Sequence, residues 1–507
     1  MKTIFPFLLV FSLTYSLYLK GQKIVSIPTA PSNWKIASVA DNYNFEDIYS
    51  SYGNYEKGVI YLDENFAVFP VQYNKHDFGL AEIDRNGQTK WQIQIKGYFL
   101  SVVSQGTTIN ALYTPEWSSF SDETVIKTIH AITLDATIGR IISDKIVFEN
   151  KSDAYISPKI LLSPDKTWAS ILIRYSKFHG RTYFNSNSVG EKMSETVGLE
   201  LLTLSPNYTV KETRKLKSVA IDNIFLGILA NSSTGFTILS IRDQDLIVEK
   251  FVPDKSEPVT QFSTDADIYI KYSPEIELSF EPGNSDMVYC TLKGRNKNKD
   301  LVFRYFSFNL KTKKILQHED LLNKSYAEML EKQNKNDKIN IRSQMRELRN
   351  DKLLVTNDNI VSVKQISSFT VGTNQGSATR FYSDEIIVSI FNKNLDNTSN
   401  TVIKKGFEVF IPSGMKPGTF VKDNKLYIFY NINSGIMKLA AEYTVIDLKT
   451  GLKIEKHTIE KDNLPNDANI EASAIIHFND GDLLPYYISK GMFPAHDYST
   501  SFQKIIY

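Results

Sequence analysis

One cysteine, seven histidines and two acidic clusters are the residues with which this chain could do chemistry. Cys290 lies in Met287-Val288-Tyr289-Cys290-Thr291-Leu292, an apolar run that reads as a strand. A nucleophilic thiol needs a base and an electropositive setting. The run offers neither, so Cys290 reads as a buried, inert thiol. The histidines (His76, His130, His179, His318, His457, His477 and His496) are scattered and form no His-x-x-x-His pair. No local zinc motif exists, although ligands from separate segments could converge. Asp41-Asn42-Tyr43-Asn44-Phe45-Glu46-Asp47 and Asn479-Asp480-Gly481-Asp482 supply oxygen ligands of the kind calcium takes. Neither has the spaced pattern of a twelve-residue calcium loop, and both read as solvated turns. A Gly-x-Ser-x-Gly elbow and a phosphate-cradling glycine loop are both absent from the sequence. No metal, cofactor or catalytic residue is therefore assigned.

Two mixtures of aromatic and polar residues could bind rather than react. Arg174-Tyr175-Ser176-Lys177-Phe178-His179-Gly180-Arg181-Thr182-Tyr183-Phe184 could hold an anionic or sugar ligand through cation and stacking contacts. The alternative is a long hairpin whose side chains alternate between two faces. Tyr486-Tyr487 with Phe493-Pro494-Ala495-His496-Asp497-Tyr498 poses the same choice. Adjacency in sequence does not orient His496 as a general base.

The elements that must carry these residues are strands. Apolar residues are 42% of the 507, charged residues 23% and aromatics 12%, a globular composition leaning towards pleated structure. The formal charge of +1 removes a whole-protein electrostatic case for nucleic acid. A compact core rarely grows past about 300 residues, so several domains or a repeat are expected. Lys2 followed by the apolar stretch 4–19 and Gly21-Gln22 reads as a secretory leader, residues 1–21. Residues 22–507 then form the folded domain, with no later stretch apolar enough to span a bilayer. With one cysteine it has no internal disulfide, and burial and backbone pairing must hold it.

Strand, short polar turn and strand recur. The turns begin near Asp84, Asp135, Ser205, Arg242, Lys311, Asn392 and Asp447. Asp, Asn and Ser accept hydrogen bonds from nearby backbone N–H groups, and Gly supplies positive φ. Seven such hairpins, each with upstream strands, predict an all-β fold: a single β-propeller of seven blades, with six or eight left open by the uneven spacing. Radial repetition protects strand edges that one large open sheet would expose. Stacked sandwiches are the competing architecture. Leu322, Tyr326, Met329 and Leu330 share one helical face, so a short helical insertion is expected near 319–348. A polar loop, 176–197, is expected to project from one face.

Asp84, Gly87 and Trp91, with Asp447, Thr450 and Gly451, resemble the blades of tryptophan-docking propellers, which implies blade geometry and no activity. Leu162-Ser163-Pro164-Asp165-Lys166 is similar to the Ser-Pro-Asp turn of other bacterial propellers. Phe381-Tyr382-Ser383-Asp384-Glu385-Ile386-Ile387-Val388, then Gly418-Thr419-Phe420 and the strand from Lys425 to Asn431, resemble uncharacterised exported proteins of Bacteroidetes-type bacteria. That resemblance implies an extracytoplasmic, bacterial setting. The expected function is a binding or interaction module, secreted or at the cell envelope, monomeric, with a protein or glycan partner. A propeller enzyme acting on glycan or peptide, with carboxylates gathered at the axis, and a structural envelope component remain as alternatives.

Overall fold

A computed structural model describes residues 23–26, 33–36, 59–73, 77–115, 126–152, 154–162, 169–177, 195–205, 207–232, 235–268, 275–298, 300–321, 348–370, 380–409, 416–433, 439–459, 469–490 and 497–506. The expected leader, most of the 176–197 loop and residues 322–347 of the expected helical insertion lie outside them. Within that insertion, Glu319, Asp320 and Leu321 end a strand, Ile315–Leu321. Alternation won there over the helical period: His318 and Asp320 fall on one face. Among the described residues no helix is long and apolar enough to cross a membrane.

The strands form eight antiparallel sheets, each with a path of four strands. Blade 1 is Lys35–Ile36, Phe66–Gln72, Asp77–Asp84 and Thr89–Lys96. Blade 2 is Tyr98–Gln105, Thr108–Thr114, Thr128–Asp135 and Ile141–Glu149. Blades 3 to 7 follow in the same order along the chain: 155–215, 224–265, 275–321, 348–409 and 418–459. Blade 8 takes four strands from 469–506, of which Ile476–Phe478 lies off the main path, and its outer strand is Lys23–Ser26, paired antiparallel with Asp497–Ile506. The first described strand of the chain thus completes the last sheet.

Eight apolar cores explain why these sheets stand as a ring. Each core is shared by two consecutive blades, from blades 1 and 2 through blades 7 and 8. The eighth joins blade 8 to blade 1, where Ile476, Phe478 and Phe502 meet Trp34, Phe69 and Ile83. Side chains alternate across a strand. In the second strand of blade 2, Ile109, Ala111 and Tyr113 face blade 1 while Leu112 faces blade 3. A strand buried on both faces reads as a continuous apolar run. The fourth strands are more exposed and mark the outer rim. The fold is an eight-bladed β-propeller, one blade more than the expected seven.

The miscount has a physical origin. Six of the seven turns join the third strand to the outer one, in blades 1, 2, 3, 5, 6 and 7. The seventh, at Arg242, joins the second and third strands of blade 4. Blade 4 reaches its outer strand by the longer connection 252–259, and blade 8 has no such turn because its outer strand arrives from the other end of the chain.

The six equivalent turns share one chemistry. Asp84 accepts from the N–H groups of Asn86 and Gln88 at 2.8 and 3.0 Å. Asp447 does so from Lys449 and Thr450 at 2.9 and 2.8 Å, and Asn392 from Asn394 and Asp396 at 2.9 and 3.0 Å. Those donors hold the Asp447 carboxyl below its usual pKa, the Thr450 N–H contributing most. Each turn then places one residue at positive φ. Three use glycine (Gly87, Gly139 and Gly451), and three use Tyr208, Lys313 or Leu395.

Candidate functional site

Turns joining first to second and third to outer strands end on one face of such a ring. On that face, at the seam of blades 7, 8 and 1, the structure assembles a cluster of aromatic and ionisable side chains. Its centre is a hairpin of Ile476–Phe478 with Gly481–Lys490. The register sets Phe478 opposite Gly481 and His477 opposite Asp482, leaving a two-residue turn at Asn479-Asp480. His477 Nδ1 lies 2.8 Å from Asp482 Oδ1, with the carboxylate side chain 3% exposed and the imidazole 27% exposed. A buried carboxylate beside one ring nitrogen fixes the ring and favours the tautomer with its proton on Nδ1. The other nitrogen, Nε2, is left as the second polar atom of the ring, an acceptor in the neutral form and a donor in the doubly protonated one.

Neighbouring blades hold the hairpin from both sides. The His477 main-chain N–H donates to the Tyr61 hydroxyl at 2.9 Å, and Tyr61 packs edge-on against Phe478 with centroids 6.3 Å apart. Tyr61 keeps 44% of its surface exposed. Burial of its hydroxyl raises the phenol pKa, the His477 N–H pulling the other way and the Asp482 carboxylate adding to the rise. From blade 7, Phe420 packs against the His477 ring and stacks on Tyr427, centroids 4.7 Å apart and planes 3° apart. Phe420 and Tyr427 are half-buried. Lys504 donates from Nζ to Asp480 Oδ2 at 2.7 Å and to the Arg85 carbonyl at 3.1 Å. Arg85 itself lies 3.9 Å from Asp480. Asp480 is therefore a strut between blades 8 and 1.

This arrangement answers part of the calcium question. Asp480 and Asp482 point to different partners, one to Lys504 and the other to His477. Among the described residues no group of three or more His, Cys, Asp or Glu could hold a metal ion. The other acidic cluster, 41–47, lies outside them.

The remaining candidates separate. Cys290 is buried at 1% exposure, and burial with nearby Glu277 pushes its thiol pKa up. Arg174 is buried over the Phe225 ring of blade 4, its guanidinium carbon 5.4 Å from the centroid. Tyr175 turns the other way, against Phe148 of blade 2, and donates to Glu200 at 2.7 Å. Alternation across a hairpin thus accounts for these two, while residues 178–184 and 491–496 lie outside the described set. Tyr486 packs in the core between blades 7 and 8. His76, His179 and His496 are also outside, and the four described histidines each lie beside a carboxylate: His130 by Asp144, His318 by Asp320, His457 by Glu455 and His477 by Asp482. On blade 2 the Asp144 carboxylate also accepts from the Tyr113 hydroxyl at 2.6 Å, which raises that phenol's pKa behind the larger effect of burial.

The sequence marks Asn479-Asp480-Gly481-Asp482 as a turn, but the His477–Asp482 pair beside it was not predicted. The signal was available. Counting back symmetrically from a two-residue turn puts position 477 opposite 482.

No protein-family description matches the chain, and no curated protein matches it. Solved structures match the chain at low identity. The WD40 domain of SCAP from fission yeast is 9% identical, with 96% of this chain and 98% of that one covered at a TM-score of 0.41. BamB from Moraxella catarrhalis is 10% identical over 88% and 95%, TM-score 0.36. A protein of unknown function from Bacteroides caccae is 10% identical over 76% and 92%, TM-score 0.29. Likeness at this level carries nothing about activity or partners. The fold defines the class: a β-propeller whose blades each follow the same four-strand path.

Tryptophan docking, suggested by the Asp84–Trp91 pattern, has a physical counterpart here. Trp91 on the outer strand of blade 1 donates to the Ala136 carbonyl in the blade 2 turn at 3.1 Å. Its ring lies where a Cβ on Gly139 would stand, within 2.5 Å. At blades 6 and 7 the same junction uses Thr401, which donates to the Gly451 carbonyl at 2.6 Å.

Proposed function

We propose that this protein is a binding module that acts outside the cytoplasm of a bacterial cell, secreted or at the envelope, and that its seam cluster contacts the ligand. The observation that carries the reading is the pairing of half-exposed rings (Tyr61, Phe420 and Tyr427) with an imidazole held in one orientation by a buried carboxylate. Aromatic faces stack on the apolar face of a sugar or on a planar side chain. A fixed Nε2 adds one directional polar contact. Few polar groups in a mostly apolar setting are what orient a ligand. A glycan or peptide of the cell envelope fits that chemistry. The leader-like stretch 4–19 supports the location.

Saturation-transfer NMR with envelope glycan fragments and with aromatic peptides tests the reading. Signal is expected from one of the two sets and should fall about tenfold in affinity for Tyr61→Ala and for His477→Ala, a loss of about 1.4 kcal/mol. Signal unchanged in both variants would place the ligand elsewhere. For location, cell fractionation and sequencing of the mature N-terminus should return a processed chain starting near Gln22, and a full-length cytoplasmic chain would refute it.

A further inference from the structure

One side chain at the junction of blades 1 and 2 departs from the pattern of its counterparts. At three junctions a side chain on the outer strand of one blade donates to the turn of the next. Trp91 reaches the Ala136 carbonyl, Thr401 the Gly451 carbonyl, and Lys145 the Thr209 hydroxyl at 2.9 Å. The register sets one third-strand residue directly opposite each donor. Opposite Thr401 it is Val388 and opposite Lys145 it is Ala131, both buried and apolar. Opposite Trp91 it is Glu82, 4% exposed. The Glu82 oxygen Oε2 is buried and has no hydrogen-bond partner among the described residues. An unsatisfied buried acceptor is costly, and a native structure that keeps one has a reason to do so.

The Trp91 N–H stands between two acceptors. Besides the Ala136 carbonyl of blade 2, it hydrogen-bonds the Glu82 carboxyl of its own blade. The carbonyl is an acceptor of constant strength. The carboxyl is not, because an ionised acceptor holds a donor roughly twice as strongly as a neutral one. Few charges act on Glu82. Lys90, whose ammonium lies 5.3 Å from the Phe66 ring centroid, favours the ionised form, and Asp63, which caps the Asn65 and Phe66 N–H groups, opposes it. Glu64 in the same turn is exposed. Asp84, two residues along on the same face, accepts from its own turn. The blade 2 turn brings Asp135, which accepts from the Thr137 N–H at 2.9 Å, and the exposed Arg140. Burial outweighs all of these and raises the Glu82 pKa to about 7, with the Trp91 N–H as the largest opposing influence.

We infer that Glu82 and Trp91 form a proton-controlled latch between blades 1 and 2. With Glu82 neutral, the Trp91 N–H goes to the Ala136 carbonyl and ties the outer strand of blade 1 to the turn of blade 2. With Glu82 ionised, its charge draws that N–H back into blade 1 and the tie across the junction weakens. Between the ordinary carboxylate value of 4.5 and about 7, the unfolded chain gives up a proton that the folded chain keeps. Stability from this group therefore falls as pH rises through that window and is level above it. Lys364 contributes no slope there, since its own window opens above about pH 7. The inference does not rest on the seam cluster.

NMR of the protein labelled with nitrogen-15 at its four tryptophans tests the latch, with Trp91→Phe identifying the Trp91 indole resonance. In wild type that resonance should move with pH, with a midpoint near 7. In Glu82→Gln, which keeps the shape and loses the proton, it should stay still. Lys90→Gln removes the nearby cation and should move the midpoint up, while Asp63→Asn should move it down. Urea midpoints should fall between pH 5 and 7 more steeply in wild type than in Glu82→Gln, a difference in which the histidines common to both cancel. A wild-type resonance that does not move overturns the inference, as does one that moves alike in Glu82→Gln. So does a stability difference between the two that is the same at pH 5 and pH 8. Should Glu82→Gln fail to fold, midpoints unchanged in both Lys90→Gln and Asp63→Asn overturn it equally.

Discussion

Blade 5 meets its two neighbours in different ways. Towards blade 4 it builds an apolar core of sixteen buried residues, Cys290 among them, and its charges there are paired: Arg304 with Asp267 at 2.9 Å and Asp286 with Lys250 at 2.8 Å. Towards blade 6 it presents Phe303 and Tyr305, and between those rings and blade 6 sits the ammonium of Lys364, with no exposed surface. Its Nζ is 5.3 and 5.4 Å from the two ring centroids and donates to Ser389 Oγ at 2.8 Å. Burial lowers the Lys364 pKa to about 7, and Asp320 on the outer strand of blade 5 pulls the other way. The same ring geometry is met with a fully buried lysine at one junction and with an arginine paired to Asp267 at the other, so the geometry does not require Lys364. Shifting a lysine that far corresponds to at most about 5 kcal/mol between its charged and neutral forms. Apolar burial supplies the adhesion at both junctions, and Lys364 is a cost carried by one of them.

The comparison can be broken at either side. Leu239→Ala at the junction of blades 4 and 5 and Ile387→Ala at that of blades 5 and 6 should each lower unfolding free energy by about 2–5 kcal/mol in urea titrations. Unequal losses outside that range would mean that the two cores are not equivalent in packing. Lys364→Met should raise stability by about 1–4 kcal/mol, because a linear apolar side chain replaces a buried charge. Destabilisation instead would show that the cation contributes adhesion. Asp320→Asn should cost about 1–3 kcal/mol below pH 7, where Lys364 is charged, and less above it.

The pH dependence sharpens the contrast further. The folded pKa of Lys364, about 7, lies below the ordinary lysine value of 10.5. Between those values the unfolded chain binds the extra proton, so this group makes stability rise with pH and contributes no slope below about pH 7. Urea midpoints measured between about pH 7 and 9.5, short of the tyrosine range, should rise in wild type more steeply than in Lys364→Met. The smallest effect belongs to the apolar side: Cys290→Val should change stability by less than about 1.5 kcal/mol. The native thiol should resist alkylation until the protein unfolds.

Much of the architecture could be read from the chain because strands buried on both faces leave apolar runs such as Phe236 to Ile241, and capped turns leave Asp or Asn at their start. What escaped reading follows from the same physics. Blade 4 ends its third strand at Phe251 in an uncapped connection, and blade 8 borrows Lys23–Ser26 from the far end of the sequence. Neither leaves a local signal. At the seam, Tyr61, Phe420, His477 and Asp482 come from three blades, so only the hairpin pair 477 and 482 was within reach of a local rule. Lys364 was legible in principle, as a charge between Val363 and Gln365 inside an apolar run. Its neighbours on blade 5 were not, since Phe303 and Asp320 are brought beside it only by the ring.

Lys23–Ser26 has a consequence for how the molecule comes into being. These four residues pair with Gln503 to Ile506, with the other blades lying between them in sequence. The clasp can fasten only after residues 503–506 have been synthesised, a contact of extreme sequence separation and hence slow to form. Until then the outer edge of blade 8 lacks its covering strand. A permuted gene that starts between two other blades would carry this clasp as an ordinary hairpin and shift the late step elsewhere.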